Sequence, residues 1–376
     1  MDNIQMVDVR GQYQKIKPEV NKAVLEVIES GAFINGPAVK SFQTNLEEYL
    51  GAKHVIPCAN GTDALQIALM ALGLEPGDEV IVPAFTYVAT AEVIALLRLI
   101  PKMVDVDPGT FNVTAEIVEA AITPKTKAIV PVHLFGQSCD MEPIMAVAEK
   151  HNLYVVEDNA QAIGADYTFS DGTVKKTGTI GHIGCTSFYP SKNLGAYGDG
   201  GAISTNDDEL AAKLRMVANH GQVRRYYHDM IGVNSRLDSI QAAILDIKLS
   251  HLDAYAQARQ QAADFYDKAF GAVENLEIPA RQHNSSHVFH QYTLLVKNGR
   301  RDKLQEYLRE KGVPSMIYYP VPLYEQEAYR GEFSGGIDFL EVTDKLCKEV
   351  LSLPVHTEMN EEILQFITKA VLSFFE

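Results

Sequence analysis

The chain has 376 residues, of which 46% are hydrophobic and 22% charged, ordinary proportions for a globular protein with room for a large domain and a smaller one. Its formal charge is −16, from 33 basic and 49 acidic residues, which argues against nucleic acid or an anionic membrane as the main partner. The four cysteines, Cys58, Cys139, Cys185 and Cys347, form no C-x-x-C pair, so neither a metal cluster nor a disulfide framework is indicated and a cytoplasmic setting is expected. The N-terminal residues lack a basic stretch followed by an apolar core, and the most apolar helical stretch, 91–100, is short and broken by Arg98.

In chain order, residues 18–30 predict an amphipathic helix with Val20, Val24, Val27 and Ile28 on one face. A glycine-containing loop, 30–37, leads to a second helix over 39–50. From His54 the pattern becomes regular. Apolar runs at 54–58, 79–83, 102–106, 127–132 and 153–158 alternate with helical stretches at 64–72, 89–99, 115–122 and 142–151. Short apolar strands separated by helices predict an α/β fold with a mostly parallel sheet covered on both faces, and ligands bind beyond the carboxyl ends of such strands. A further helix is expected at 207–220, and 235–269 reads as helical with a bend. The remainder alternates differently: strand 290–296, helix 302–311, strand 315–319, and helices 341–351 and 361–374. We therefore expect a large domain over 1–249 and a smaller α+β domain over 250–376, with the N-terminal segment packing on the smaller one.

Several stretches carry chemistry. Cys185-Thr-Ser-Phe-Tyr-Pro-Ser-Lys192 is a strand running into a turn that presents a lysine, followed by the glycine cluster Gly198-Asp-Gly-Gly201. A lysine so placed can form a Schiff base with an aldehyde or hold a phosphate, although most lysines in glycine-rich loops are merely solvated. Asn60-Gly-Thr-Asp63 lies between a strand and a helix, where backbone N–H groups and the Thr62 hydroxyl make an anion site; Thr62 or Asp63 acting only as an N-cap is the simpler reading. Asp158 ends an apolar strand with Gln161 three residues on, so that a carboxylate could hold a protonated ring nitrogen and the amide could reach a neighbouring phenolic oxygen. Tyr87, in Phe85-Thr-Tyr-Val-Ala-Thr90, could stack on a flat cofactor or simply pack in the core. Arg224-Arg-Tyr-Tyr-His228 and Asn234-Ser-Arg236 form the densest basic cluster of an acidic chain. Nucleotide signatures are lacking: Gly198–Gly201 runs into a strand rather than a helix, and no P-loop, H-E-x-x-H or G-x-S-x-G occurs.

The order of these elements is that of a pyridoxal phosphate enzyme. Over nearly its whole length the chain resembles the DegT/DnrJ/EryC1/StrS sugar-nucleotide aminotransferases. The resemblance is carried by Asn60–Leu65, Phe85–Thr90, Glu157–Ala162, Ser187–Lys192, Gly198–Gly201 and Gly232-Val-Asn-Ser-Arg-Leu-Asp238.

It implies the aspartate-aminotransferase fold and a pyridoxal 5′-phosphate cofactor, with pyridoxamine 5′-phosphate formed during turnover. Lys192 would bind the cofactor and move the proton, Asp158 would face the pyridine nitrogen, Gln161 the ring hydroxyl, and Tyr87 the ring face. Gly61, Thr62 and Ser187 would hold the phosphate with Asn234 from the second subunit of a homodimer. L-glutamate would donate the amino group and a keto-sugar nucleotide would accept it, for surface polysaccharide or glycan synthesis.

The family branch acting on 3-oxo uronates uses an arginine at the position of Arg236 and a His-Tyr pair in the second domain. Here the pair reads Tyr318-Tyr319, so a neutral 3-oxo sugar is expected, with a 4-oxo sugar as the alternative. Tyr319 and Tyr318 are placed near the substrate, Arg224 and Arg225 near its diphosphate, and the glycines after Lys192 are read as room for ligands. A lyase or desulfurase, using one of Arg281, Arg300, Arg301, Arg309 and Arg330 for a substrate carboxylate, and a non-catalytic ligand-binding regulator remain alternatives.

Overall fold

The computed structural model describes residues 4–331, 333 and 339–376. Two helices open the chain, α1 (Val9–Ser30) and α2 (Pro37–Leu50). Helix α1 begins well before the predicted start because Asp8 caps it, its Oδ1 accepting the Gly11 N–H at 2.7 Å, and because Pro18 is absorbed within the helix. Its buried positions are Ile16, Val20 and Val27; Ile28, predicted on the same face, is 48% exposed.

An alternation then follows: β1 (His54–Cys58), α3 (Gly61–Ala71), β2 (Glu79–Pro83), α4 (Ala89–Leu96), β3 (Ile100–Val104), α5 (Ala115–Ala121), β4 (Thr126–Ile129), α6 (Met141–His151) and β5 (Tyr154–Asp158). A small hairpin, β6 (Asp166–Thr168) and β7 (Val174–Lys176), precedes β8 (Ile183–Ser187) and β9 (Gly201–Thr205). Seven of these strands make one sheet in the order β1-β9-β8-β5-β4-β2-β3. Strand β9 is antiparallel to both its neighbours, whereas β8-β5-β4-β2-β3 pair in parallel. Side chains alternate across the sheet, so Val80 packs with α3, α4 and the next helix, α7 (Asp208–Ala218), while Ile81 packs on the opposite face with α5 and α6. Both faces are therefore apolar, which is why β2 reads as a nearly unbroken apolar run. The segments that follow β1, β2, β5 and β8, all at the carboxyl ends of strands, supply the site described below.

Beyond the sheet, a short exposed hairpin pairs β10 (Gln222–Arg224) with β11 (Tyr227–His228). The predicted long helix is two, α8 (Ser239–Leu249) and α9 (Leu252–Phe270), with the bend at Ser250-His251. A three-stranded antiparallel sheet follows, β12 (Leu276–Glu277), β13 (Tyr292–Val296) and β14 (Val350–Leu353). With α9, α10 (Arg301–Glu310) and α12 (Glu361–Phe375) it encloses a second core, which also takes in Ile4 from the N-terminus.

Two expectations fail here. The stretch 315–319 makes only one bridge, Met316 to Ser352, and then leaves for the cavity. The helix α11 (Glu341–Glu349) stops short of the predicted 351, because Val350 and Leu351 pair with Leu295 and Leu294; strand pairing overrides local helix propensity. No helix among the described residues is long and apolar enough to cross a membrane.

Three buried histidines beside the second core, His287, His290 and His356, form no salt bridge among the described residues. Desolvation lowers His287 to about 3 and His356 to about 4, the latter against a weak opposing pull from Asp8 and Glu358, and takes His290 well below its ordinary value. Each therefore binds a proton in the unfolded chain below pH ~6.5 that the folded chain refuses. Stability is complete above that pH and should fall as pH drops from about 6.5 toward 4, by as much as about 4 kcal/mol per pH unit where all three differ fully. Urea midpoints measured across this range should show the drop; a flat profile to pH 4 would refute it.

Candidate active site

The carboxyl ends of the sheet strands open onto a cavity of about 780 Å³. Its lining includes Gly61, Thr62, Tyr87, Asp158, Gln161, Ser187, Lys192, Tyr318 and Tyr319, so nine of the sequence-predicted residues meet in one place. Asn234, Arg236, Arg224 and Arg225 do not line it.

Asp158 ends β5 and is 5% exposed. Its Oδ2 accepts the Thr90 hydroxyl at 2.7 Å and its Oδ1 the Ala160 N–H at 3.1 Å, so both oxygens are oriented. Glu157 is held on a separate network. It accepts N–H bonds from Gly178, Ile180 and Gly181 and pairs with His133 Nε2 at 2.8 Å. The Cys139 N–H donates to His133 Nδ1 at 3.1 Å, which leaves Nε2 as the protonated nitrogen that donates to Glu157. With the Pro131 carbonyl accepting the Asp158 N–H and the Asp158 carbonyl accepting the His133 N–H, the strand end is rigidly set.

Lys192 sits in the turn between β8 and β9, half-buried. Burial lowers its amine to about 8, against the opposing pull of the Asp158 carboxylate. Cofactor-free protein treated with trinitrobenzenesulfonate should show Lys192 modification reaching half its plateau near pH 8, when followed by mass spectrometry. Exposed lysines titrate near ~10.4, and Lys192 modification following theirs would contradict the enclosure.

Gln161 is committed at both ends: its Oε1 accepts the Phe135 N–H at 2.8 Å and its Nε2 donates to the Tyr319 hydroxyl at 3.1 Å. Tyr319 is driven further toward its neutral form, first by burial. Its ring lies 6.3 Å from that of Tyr87, which is 57% exposed at the cavity wall. Asn60, rather than Thr62 or Asp63, caps α3, its Oδ1 accepting the Asp63 N–H at 2.8 Å. The Thr62 hydroxyl is thus not spent on capping, and the first turn of α3 meets the cavity. A Cβ on Gly61 would lie 2.6 Å from the Ser187 Cβ, so glycine is required to bring the two sides of this cradle together.

The later glycines also pack closely against the protein itself. A Cβ on Gly201 would lie 2.4 Å from the Asn60 carbonyl oxygen, a backbone clash that requires glycine there, and one on Gly198 would lie 2.9 Å from the side-chain end of Gln241.

Arg224 and Arg225 lie on the β10–β11 hairpin, stacked over Tyr227 (3.6 Å) and Tyr226 (5.0 Å). Arg236 donates to Asn234 Oδ1 and, at 3.5 Å, to Asn219 Oδ1. The five arginines considered for a lyase are engaged elsewhere: Arg281 with Asp264 and Asp267, Arg300 with the Phe374 carbonyl, Arg301 with Asp302, Arg309 with Glu306 and Arg330 with Glu327. None lines the cavity. Thr90, Phe135, Asp199, His290 and Gln291 were not foreseen as site residues, although Thr90 and Asp199 lie within stretches already named for their chemistry.

A lysine and an oriented carboxylate facing one cavity, at the carboxyl ends of a sheet with one reversed strand, define an α/β enzyme of the aspartate-aminotransferase fold. Residues 14–372 match the DegT/DnrJ/EryC1/StrS aminotransferase family, and the chain belongs to it. It is 47% identical to a pleiotropic regulatory protein of Geobacillus stearothermophilus, over 99% of each chain. It is 45% identical to the UDP-2-acetamido-2-deoxy-3-oxo-D-glucuronate aminotransferase of Pseudomonas aeruginosa, covering 98% of this chain and 99% of the relative. The crystal structure of S. venezuelae DesV superposes with a TM-score of 0.95 at 36% identity, covering 100% of this chain and 99% of that one.

Proposed function

We propose that this chain is a pyridoxal phosphate-dependent aminotransferase that carries the amino group of L-glutamate to a 3-oxo sugar nucleotide, working as a homodimer. The observation that carries this reading is the convergence of Lys192, Asp158 and the Gly61–Ser187 cradle on one cavity. The residues fit the cofactor chemically. Lys192 offers an amine that is substantially neutral by pH 8, and Asp158 a fixed negative charge. The start of α3, with the Thr62 and Ser187 hydroxyls, offers donors for a phosphate. When bound, the cofactor supplies the electron sink that lets an amino group leave an amino acid and arrive at a ketone.

The chain's own residues do the rest. Lys192 takes a proton from the substrate carbon at Nζ and returns it, for which an amine titrating near neutrality is suited. Asp158 holds its charge at the cavity floor, and the Gln161–Tyr319 pair closes one side against water. Tyr87 offers a ring face.

The donor's carboxylate and the sugar's diphosphate need cations, yet among the described residues Lys192 is the only Lys or Arg lining the cavity within one chain. Arg236, Arg224 and Arg225 of a second copy would provide them, with its Asn234 at the phosphate. Exposed Val223, Tyr226 and Ile231 around the same hairpin give that copy an apolar surface to cover. Tyr318, a neutral residue at the wall, favours a sugar without a carboxylate. The 3-oxo assignment is supported by the Pseudomonas relative's substrate.

Purified protein should show a near-visible absorption band that borohydride bleaches. Incubated with glutamate and a panel of 3-oxo and 4-oxo UDP- and dTDP-sugars, it should release 2-oxoglutarate with the 3-oxo members. Colourless protein that cannot be reconstituted would overturn the reading, and release with 4-oxo sugars alone would overturn the C3 assignment. Given the name of the Geobacillus relative, a ligand-binding regulator is the second reading; cofactor uptake without turnover on any sugar would favour it.

A further inference from the structure

The turn bearing Lys192 is fastened from below. Its limbs fold on each other, with the Lys192 N–H donating to the Tyr189 carbonyl and the Ala196 N–H to the Phe188 carbonyl, both at 2.8 Å. A Cβ on Gly195 would lie 2.4 Å from the Pro190 carbonyl oxygen, so the limbs meet backbone to backbone. Helix α8 grips this turn twice. Gln241 Oε1 accepts the Tyr197 N–H at 2.8 Å, and Lys248 Nζ donates to the carbonyl of Gly195.

Lys248 is 1% exposed and has no salt bridge among the described residues. The groups around it are Arg259 of α9, itself a buried cation, and the Tyr197 ring at 5.2 Å. A buried ammonium beside another cation costs folding free energy, and an apolar side chain of the same length would pack there more cheaply. Among the described residues its one side-chain hydrogen bond goes to the carbonyl three residues beyond Lys192. We propose that Lys248 is a positioning residue for Lys192, holding the Gly195 carbonyl so that the Lys192 amine stays enclosed between Asp158 and His290. The inference rests on Lys192 being the working amine. Burial lowers Lys248 to about 7, but a neutral amine still donates N–H, so the bond survives that titration.

The test uses cofactor-free protein, so it stands apart from whether the cofactor reading holds. In Lys248→Met the thermal midpoint measured below pH 7, where the Lys248 amine is charged, should be unchanged or higher, because a costly buried charge is gone. The pH midpoint of Lys192 labelling should move up by at least about one unit from about 8, toward the ordinary lysine value near ~10.4, as the turn loosens and water reaches the amine. Lys248→Gln, which keeps a donor near the Gly195 carbonyl, should recover most of that shift. In reconstituted enzyme the Lys248→Met variant should lose about tenfold or more in kcat with KM for glutamate nearly unchanged, since Lys248 touches no substrate.

A folded Lys248→Met protein whose Lys192 titrates as in the wild type overturns the proposal. So does a Lys248→Met protein that fails to fold while Lys248→Gln titrates normally but is less stable, which would make Lys248 a structural residue only.

Discussion

Lys192→Ala is expected to abolish the near-visible band and to slow 2-oxoglutarate release from glutamate by at least about 10³-fold, because both the attachment point and the proton carrier are lost. The fold should not notice. Lys192 lines a cavity, and its desolvated amine is a cost to the folded state rather than a support, so the unfolding free energy should stay within about 1 kcal/mol of wild type. Absorption spectra, single-turnover assays and urea melts on the same preparation measure all three. A variant that stays coloured and turns over would place the reactive amine elsewhere.

Asp158→Asn separates charge from shape. The amide keeps the carboxylate's outline and one acceptor for Thr90 or Ala160, but it removes the negative charge from the cavity floor. The near-visible band should survive, because Lys192 is intact, while the rate falls by about 10²–10³-fold, the scale on which a fixed electrostatic partner contributes. A second readout has a definite sign. The Asp158 carboxylate raises the Lys192 pKa, so its removal should bring the Lys192 labelling midpoint below the wild-type value of about 8. Wild-type rates with an unmoved midpoint would show that Asp158 does not face the reacting groups.

Much of this site can be read in the sequence because its parts are local. Asn60–Thr62, Phe85–Thr90, Asp158–Gln161 and Ser187–Lys192 each follow a strand, and the alternation of strand and helix predicts that such turns gather at one sheet edge. Strand β2 is read to the residue, since an apolar run between polar turns has one solution when both faces are covered. What escapes the sequence is what depends on distant partners. The end of α11 is set by Leu294 and Leu295, some 55 residues earlier. The glycines at 198 and 201 answer to Gln241 and Asn60, and nothing in their neighbourhood announces that. His290 and Lys248 enter only through folding, the first as part of the cavity wall, the second from a stretch that reads simply as part of a long helix. The early start of α1 lies in Asp8, whose carboxylate caps the first turn, and the helix runs on through Pro18.

The two groups of predicted residues are anchored very differently. Lys192, Asp158 and Gly61 are knitted into the central sheet or its first turns, whereas Arg224, Arg225, Tyr318 and Tyr319 sit on a peripheral hairpin and on a segment that forms no strand. With these residues assigned to the substrate as proposed, descent with modification can rewrite what the enzyme accepts without revisiting how it folds. A laboratory library confined to residues 222–228 and 318–319 would explore acceptor preference along the same seam, and most of its members should still emerge as assembled, coloured protein.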